Sequence, residues 1–163
     1  MFIIDVQGFP PYKECEFICK EICIVNTCNG EVYHTLVKFP HQIKWFNGDI
    51  QRRIDWLTDN IHGLKWDQDA FTYIPYENIT NYIKNIINDN DVFVKGFDKK
   101  HWLNKLISNN VEEFMFIGCP NLKKLKTINR HCNFHCMEHF YNVKNCAKEN
   151  ALLLYNWYIN NTF

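Results

Sequence analysis

Three side chains in the last third of the chain have the types and the spacing of ligands for a soft metal ion. Cys132 and His135 are separated by two residues, and ten further residues separate His135 from Cys146. Thiolate and imidazole groups are the ligands that Zn²⁺ prefers, and a Cys-x-x-His pair can reach one tetrahedral ion from a single turn. The spacing therefore predicts a structural zinc site formed by these three residues.

Glu21 is the candidate for a fourth ligand. It lies within an apolar run, residues 16–25, that we predict to be a central strand. A carboxylate in such a strand is costly unless it is paired or bound to a metal ion. Two alternatives stay open. Arg130 is a candidate ion-pair partner for Glu21, and either His131 or Cys136 is an alternative to one of the neighbouring ligands.

Further cysteines lie along and beside the same predicted strand, at Cys15, Cys19, Cys23 and Cys28. At a rise of about 3.3 Å per residue, these spacings hold the sulfur atoms too far apart for one ion. We therefore predict core thiols here. Because alternate residues of a strand share a face, we expect Cys19 and Cys23 to lie on the same face as Glu21.

The elements that must position these residues form a strand-rich first part and an alternating second part. Apolar runs predict strands over residues 2–6, 16–25, 32–38, 92–95 and 114–117, and Asn29-Gly30 predicts a hairpin. Amphipathic spacing predicts helices over residues 50–61, 79–87, 98–107 and 140–158. An antiparallel meander followed by alternating helices and strands is typical of the RNase H-like fold. We therefore predict a single α/β domain over residues 1–163, with a mixed sheet and flanking helices.

The composition agrees with one folded domain. Hydrophobic residues make up 47% of the 163 residues, which excludes a disordered chain. Basic and acidic residues both total 18, so net charge indicates no class of partner. No apolar run approaches the roughly 18 residues of a membrane span, and residues 1–5 do not resemble a signal peptide. We expect an intracellular protein, cytoplasmic or nuclear, that uses its eight cysteines as thiols or metal ligands.

Six short motifs, in order along the chain, resemble those of the DEDD-type exonucleases. They are Ile4-Asp5-Val6-Gln7, Lys20-Glu21-Ile22-Cys23-Ile24-Val25, Leu36-Val37-Lys38-Phe39-Pro40, His62-Gly63-Leu64, Val94-Lys95-Gly96-Phe97-Asp98 and Cys146-Ala147. The enzymes of that class use four carboxylates to hold two Mg²⁺ ions. Asp5 and Asp98 match two of these acids, whereas Gln7 and Cys146 replace the others. An amide and a thiol are poor ligands for Mg²⁺, so the resemblance implies a nuclease fold without canonical two-metal hydrolysis.

The departures from the exonuclease pattern resemble one relative, the Maelstrom domain. In that RNase H-like domain Glu, Cys, His and Cys replace the acidic set and bind zinc, and Glu21, Cys132, His135 and Cys146 follow the same order. The resemblance covers residues 2–158. It implies a zinc-stabilised domain that binds single-stranded RNA in small-RNA or transposon silencing, with small-RNA pathway proteins as partners. Because Maelstrom domains are also linked to RNA cleavage without the usual acids, the resemblance leaves enzymatic activity open.

A basic segment beside Asp98 is the candidate nucleic-acid interface. It consists of Lys95, Lys99, Lys100 and His101, with aromatic residues nearby. Lysine contacts to phosphate and aromatic stacking on bases are the usual means of holding a single strand. The alternative is an ordinary solvated start of a helix.

Two further interpretations of function stay open. In the first, Asp5 and Asp98 act with another acid, Glu112 or Glu113, as an Mg²⁺- or Mn²⁺-dependent 3′–5′ exonuclease or RNase. In the second, the nuclease-derived fold serves only as a scaffold for protein interaction, since a fold does not determine a function.

Overall fold

The computed structural model describes residues 1–9, 16–67, 73–125, 132 and 145–162 of the chain. Within these ranges the protein is α/β, with one six-stranded mixed sheet and helices packed on both faces. The strands are β1 (Phe2–Phe9), β2 (Ile18–Asn26), β3 (Val32–Lys38), β4 (Tyr73–Pro75), β5 (Val92–Val94) and β6 (Val111–Glu113). The helices are α1 (Gly48–Leu57), α2 (Ile79–Ile87), α3 (Phe97–Leu106) and α4 (Ala147–Asn161). The predicted α/β class with a mixed sheet and flanking helices is confirmed.

The sheet has the strand order β4-β3-β2-β1-β5-β6. β1, β2 and β3 form an antiparallel meander, and β5 and β6 extend the sheet in parallel on the other side of β1. β4 adds in parallel to the outer edge of β3. Every residue of β1 is buried, as is every residue of β2 before Asn26, so these two strands are covered on both faces. Their largely apolar sequences are explained by this central position.

Alternate residues of the central strands pack against different helices. One face of the sheet packs against α2 and α3, and its strand residues include Ile4, Val6, Ile22 and Ile24. The opposite face packs against α4 and includes Ile3, Cys23 and Val25. The polar residues Asp5 and Glu21 share the alternation of Ile3 and Cys23, so their side chains point toward the α4 face.

A β-bulge near the amino end of β2 determines which cysteines of this strand lie on the face that packs against α4. Gln7 pairs with Glu21, whereas the next residue, Gly8, pairs with Cys19, so Lys20 is the extra residue. Cys19 therefore packs in the core of the α2–α3 face. The prediction that Cys19 shares a face with Glu21 is wrong, because the alternation on which it relied is interrupted at Lys20.

Three elements differ from the sequence prediction. Residues 114–117 were predicted as a strand, but Phe114–Ile117 is a 3-10 helix that directly follows β6. The side chain of Glu113 accepts a hydrogen bond from the N–H of Met115, and this cap turns the chain out of the sheet. β4 was not predicted, since three residues are too few to show alternation. The helix predicted over residues 140–158 corresponds to α4, but the described residues 145 and 146 are not helical, and α4 extends from Ala147 to Asn161. Residues 140–144 lie outside the described part of the chain.

The helices cover the sheet with apolar stripes. α2 buries Ile79, Ile83 and Ile87, which are spaced by four residues and so lie on one side of the helix. α4 buries residues on more than one side, including Asn150 and Tyr158, because it lies across the centre of the sheet against β1 and β2. Among the helices that the structure describes, none is both long enough and apolar enough to cross a membrane.

Candidate metal centre and nucleic-acid interface

The carboxylate of Glu21 lies at the centre of a cluster of metal-binding side chains. Glu21 is completely buried, and its Oε1 atom lies 2.7 Å from His34 Nε2, 3.5 Å from Cys132 Sγ and 3.6 Å from Cys146 Sγ. Cys132 Sγ also lies 3.7 Å from His34 Nε2. Glu21, His34 and Cys132 form a possible metal-binding triad, with ligand atoms that all lie within 4.8 Å of one another. Cys146 borders this triad through its contact with Glu21.

The hairpin between β2 and β3 brings Glu21 and His34 together. Across the antiparallel pair, Cys23 lies opposite His34 and Glu21 lies opposite Leu36. Glu21 and His34 are therefore diagonal neighbours on one face of the sheet, at a separation that long side chains bridge. The same face packs against α4, and Cys146 is the residue directly before that helix.

The first residue of α4 fixes the orientation of the Glu21 carboxylate. The backbone N–H of Ala147 donates to Glu21 Oε2 at 2.9 Å. Amide groups in the first turn of a helix lack partners within the helix, and the positive end of the helix dipole favours an anion there. One carboxylate oxygen is thus bound to the helix, while the other is turned toward the imidazole and the two thiols.

The types of these groups, and the separations within the triad of Glu21, His34 and Cys132, are compatible with a metal ion such as zinc, whereas Cys146 lies outside that triad. Tetrahedral zinc, with bonds of about 2.0–2.3 Å, separates its ligand atoms by roughly 3.3–3.8 Å. The two distances from Cys132 Sγ and the distance from Cys146 Sγ to Glu21 Oε1 all fall within this range. The shorter distance between Glu21 and His34 is that of a hydrogen bond. Joint coordination therefore requires these two side chains to move apart slightly.

The structure brings together three of the four predicted zinc ligands, Glu21, Cys132 and Cys146. The fourth, His135, lies outside the described residues and stays a prediction. His34 was not predicted as part of the site. The signal that could have found it is the Asn29-Gly30 hairpin, which places a histidine of β3 diagonally across from Glu21.

The alternatives to this ligand set are Arg130, His131 and Cys136, and all three lie outside the described residues. The structure shows a different partner for Glu21, because His34 Nε2 lies at hydrogen-bond distance, 2.7 Å, from its carboxylate. The choice between a charge pair and a metal centre at Glu21 therefore depends on His34.

The other cysteines near β2 divide into core and surface residues. Cys19 and Cys23 are buried, and burial raises the pKa of both thiols far above the usual range, with the charge of Glu21 acting in the same direction. They are therefore protonated core thiols at neutral pH, as predicted. Cys28 is exposed in the turn after β2, so the prediction of a core thiol is wrong at this position. Cys15 lies outside the described residues.

Asp5, the first remnant acid, is bound by three side chains of the protein itself. It is completely buried in β1, where Lys99 Nζ donates to Oδ1. Gln7 Nε2 and Asn150 Nδ2 each donate to Oδ2 at 3.1 Å. Burial raises the pKa of Asp5, and the charge and hydrogen bond of Lys99 oppose this effect. The ammonium group of Lys99 thus balances the charge of this buried carboxylate.

The other acids of the exonuclease interpretation have different surroundings. Asp98 is exposed in the first turn of α3, and it is the next residue, Lys99, that reaches Asp5. Glu113 is buried, and its carboxylate accepts hydrogen bonds from the backbone N–H groups of Gly96, at 2.8 Å, and Met115. Its oxygen atoms therefore stabilise the turn before α3 and the 3-10 helix after β6 by hydrogen bonding.

Two of the four predicted nucleic-acid-binding residues make internal contacts. Lys95 Nζ donates to the carbonyl oxygen of Cys119 at 3.0 Å and lies 3.8 Å from the carboxylate of Glu113. Lys99 Nζ donates to Asp5. Both ammonium groups thus hold the structure together and have little freedom to bind phosphate.

Of the other two predicted residues, Lys100 lies beside an exposed aromatic side chain, and His101 is exposed on α3. Phe97 is 55% exposed and Phe116 is 67% exposed, and their ring centroids lie 6.0 Å apart in an edge-to-face arrangement. Lys100 Nζ lies 5.7 Å from the centroid of Phe116. We call Phe97, Lys100 and Phe116 the aromatic patch. Phe116 was missed as a surface residue because residues 114–117 were predicted to form a strand.

Comparisons with known proteins do not place this chain in a family. No protein-family model matches it, and no curated protein matches its sequence. Function must therefore be inferred from the cluster around Glu21, the surroundings of Asp5 and the aromatic patch.

Proposed function

We propose that this protein is a Maelstrom-like domain of RNase H-like fold, stabilised by a structural zinc ion, that binds single-stranded RNA. The observation that carries the proposal is the approach of His34, Cys132 and Cys146 to one buried carboxylate, that of Glu21. These groups come from four separate parts of the chain. The proposed role of the protein in small-RNA or transposon silencing, with proteins of that pathway as partners, is based on the Maelstrom resemblance.

The order and direction of the strands support the RNase H-like assignment. The meander of β1, β2 and β3 accounts for one half of the sheet, and β5 and β6 extend the other half in parallel, with α3 between them. This is the antiparallel meander followed by alternating elements that is typical of the fold. The resemblance to the DEDD exonucleases and to the Maelstrom domain depends on the same arrangement.

Zinc is the metal ion that the ligand chemistry favours. Two thiolates and an imidazole are soft or intermediate donors, which select zinc over Mg²⁺ or Ca²⁺. A bound zinc ion would neutralise the buried carboxylate of Glu21 and join β2, β3, Cys132 and the start of α4. Because the unfolded chain holds no such site, the free energy of zinc binding would contribute directly to folding.

The surroundings of Asp5 support a domain without canonical exonuclease activity. A catalytic Mg²⁺ ion needs carboxylate oxygen atoms that are open to it. Both oxygen atoms of Asp5 already accept hydrogen bonds, one of them from the ammonium group of Lys99. A divalent cation would have to displace that internal cation, and Gln7 and Asn150 would offer it neutral amides.

The aromatic patch is the proposed surface for RNA. Phe97 and Phe116 offer exposed rings on which bases can stack, and Lys100 places a positive charge against one of them. Stacking of this kind contributes about 1–3 kcal/mol per base and tolerates any sequence. The patch therefore fits a single strand better than a duplex, in which both faces of each base are already covered.

Metal content tests the zinc centre. We would purify the full chain without added metal and measure zinc by mass spectrometry, and we expect about one ion per chain. The double variant Cys132→Ser with Cys146→Ser should contain none, whereas Cys28→Ser, which removes an exposed thiol, should retain it. A wild-type protein that contains no zinc and does not take it up would overturn this part of the proposal.

RNA binding is tested separately by fluorescence anisotropy with a labelled single strand at low salt. The wild type is expected to bind, and Phe116→Ala is expected to bind more weakly. If the protein contains zinc but binds no RNA, the proposal of a metal centre stands. The result would then favour a protein-interaction scaffold over an RNA-binding domain.

A further inference from the structure

A second candidate site lies at the carboxyl end of β3. It is a cavity of about 430 Å³ lined by residues 38–44 together with Trp66 and Asp67. Sites for small molecules have volumes of roughly 300–1,000 Å³, so the cavity is large enough for a ligand of the size of a nucleotide. None of its lining residues belongs to the cluster around Glu21 or to the aromatic patch.

The wall of the cavity is aromatic and is held in place. Trp66 is buried, and its indole Nε1–H donates to the carbonyl oxygen of His41 at 2.9 Å. The ring of Trp66 packs edge-on with those of Phe39 and Phe46, at centroid distances of 5.6 Å and 5.1 Å. Lys20 Nζ donates to the carbonyl oxygen of Trp66 at 2.7 Å. Because these contacts exist before any ligand binds, the cavity is largely preformed.

The polar groups around the cavity carry a small excess of positive charge. Lys38 and Lys44 are exposed lining residues, and Asp67 is the single carboxylate among the lining residues that belong to the described part of the chain. Lys38 Nζ lies 4.8 Å from the ring centroid of Tyr73, which holds the ammonium group beside an aromatic face. Lys44 lies in the short 3-10 helix Ile43–Trp45. Two lysines against one aspartate match a single phosphate group better than a triphosphate.

We propose that this cavity binds a nucleoside monophosphate, with the base against its aromatic wall and the phosphate between Lys38 and Lys44. Aromatic side chains suit a base, and the ammonium groups of lining lysines can form charge-assisted hydrogen bonds with phosphate oxygen atoms. The same chemistry is offered by a free nucleotide and by the phosphorylated terminal nucleotide of a single strand. The inference depends neither on zinc nor on the aromatic patch.

The test is an NMR titration of the full-length, ¹⁵N-labelled protein with adenosine monophosphate. The reporter is the indole N–H signal of Trp66, which lies in the cavity wall. We expect this signal to shift with the monophosphate and to shift much less with adenosine or with inorganic phosphate alone. Lys38→Ala and Lys44→Ala should each weaken binding by about tenfold, whereas Lys84→Ala, an exposed lysine on α2, should bind as the wild type does.

Oligonucleotides distinguish the two sources of the ligand. A strand with a 5′-phosphate that binds more tightly than the same strand with a 5′-hydroxyl, and that loses this advantage in Lys44→Ala, would identify a strand end. Binding of adenosine monophosphate without that advantage would identify a free nucleotide. The proposal is overturned if neither ligand shifts the Trp66 signal, or if both lysine variants bind as tightly as the wild type does.

Discussion

Glu21 Oε1 lies 2.7 Å from His34 Nε2, although the two residues belong to neighbouring strands and are not directly opposite each other. The carboxylate is completely buried and the imidazole side chain is 11% exposed, so the pair forms the inner edge of the candidate metal centre. A protonated His34 would balance the charge of Glu21 by itself. A zinc ion would do the same while also engaging Cys132 and Cys146. Protonation and metal binding therefore compete for the same atoms.

Substitution of His34 tests its role as a ligand. We expect His34→Ala to lose most of its zinc on dialysis against a chelator, because its Nε2 lies within coordination reach of Glu21 and Cys132. His101→Ala, which removes an exposed histidine on α3, is the matched control and should retain the metal. Retention of zinc by His34→Ala together with its loss from His135→Ala would make His135 the histidine ligand and exclude His34.

Removal of zinc should destabilise the fold. The proposed zinc ion would join segments that are up to 125 residues apart in sequence, so its removal would free β2, β3 and α4 from one another. We expect a chelator to lower the Tm of the wild type by more than about 5 °C, with recovery when zinc is returned. The Cys132→Ser, Cys146→Ser variant should melt at one temperature with or without chelator. An equal effect of the chelator on both proteins would contradict a structural metal at this site.

The pair formed by Asp5 and Lys99 predicts a stability difference that depends on pH. Lys99→Met leaves a buried carboxylate without its cation, which should lower the free energy of unfolding by about 3 kcal/mol at neutral pH. Burial raises the pKa of Asp5, and loss of the Lys99 charge raises it further. The folded variant therefore holds a proton on Asp5 more tightly than the unfolded chain does. The difference in the free energy of unfolding between the wild type and Lys99→Met should therefore become smaller as the pH falls through that raised pKa.

Chemical denaturation at several pH values measures this difference. Asp5→Asn combined with Lys99→Met should recover part of the lost stability, because the double variant has no unpaired buried charge at position 5. Lys105→Met is the matched control, since Lys105 pairs with Glu16 at the surface and should change stability little. A deficit for Lys99→Met that does not vary with pH would show that packing of the lysine stem, rather than its charge, accounts for the loss.

The contact between Asp5 and Lys99 also predicts the outcome of a nuclease assay. Because Lys99, Gln7 and Asn150 already engage the oxygen atoms of Asp5, we expect no Mg²⁺- or Mn²⁺-dependent trimming of an end-labelled oligonucleotide. Trimming by the wild type that disappears in Asp5→Asn would instead support the exonuclease interpretation. Trimming that persists in Asp5→Asn would indicate either a contaminating nuclease or a reaction that does not use this acid.

The aromatic patch predicts two different effects on RNA affinity. Phe116→Ala should weaken binding of a single strand by about 1–3 kcal/mol at every salt concentration, because it removes a stacking surface. Lys100→Ala should weaken binding mainly at low salt. It should also reduce the slope of log affinity against log salt concentration by about one, the value expected for the loss of one phosphate contact. Trp56→Ala is the control, since Trp56 is an exposed aromatic residue on α1. Equal affinities for all four proteins would exclude the patch as the RNA surface.

The sequence by itself was sufficient for the α/β class and for the chemistry of the candidate site. A strand that is buried on both faces is largely apolar, so residues 16–25, which contain most of β2, could be predicted as a central strand. An acid within such a strand needs a partner, which made Glu21 notable. Thiols and imidazoles close together near the carboxyl end indicated which partner to expect. These are properties of single residues and of short windows of sequence.

Only the tertiary structure decided which residues meet. The register of one hairpin placed His34 beside Glu21, and a single bulge at Lys20 moved Cys19 to the other core. Lys99, which was predicted to bind nucleic acid, reaches a carboxylate 94 residues away in the sequence, that of Asp5. Local periodicity determines the face on which a side chain lies. The partner across the sheet depends on register, bulges and helix placement, which are set by packing of the whole core.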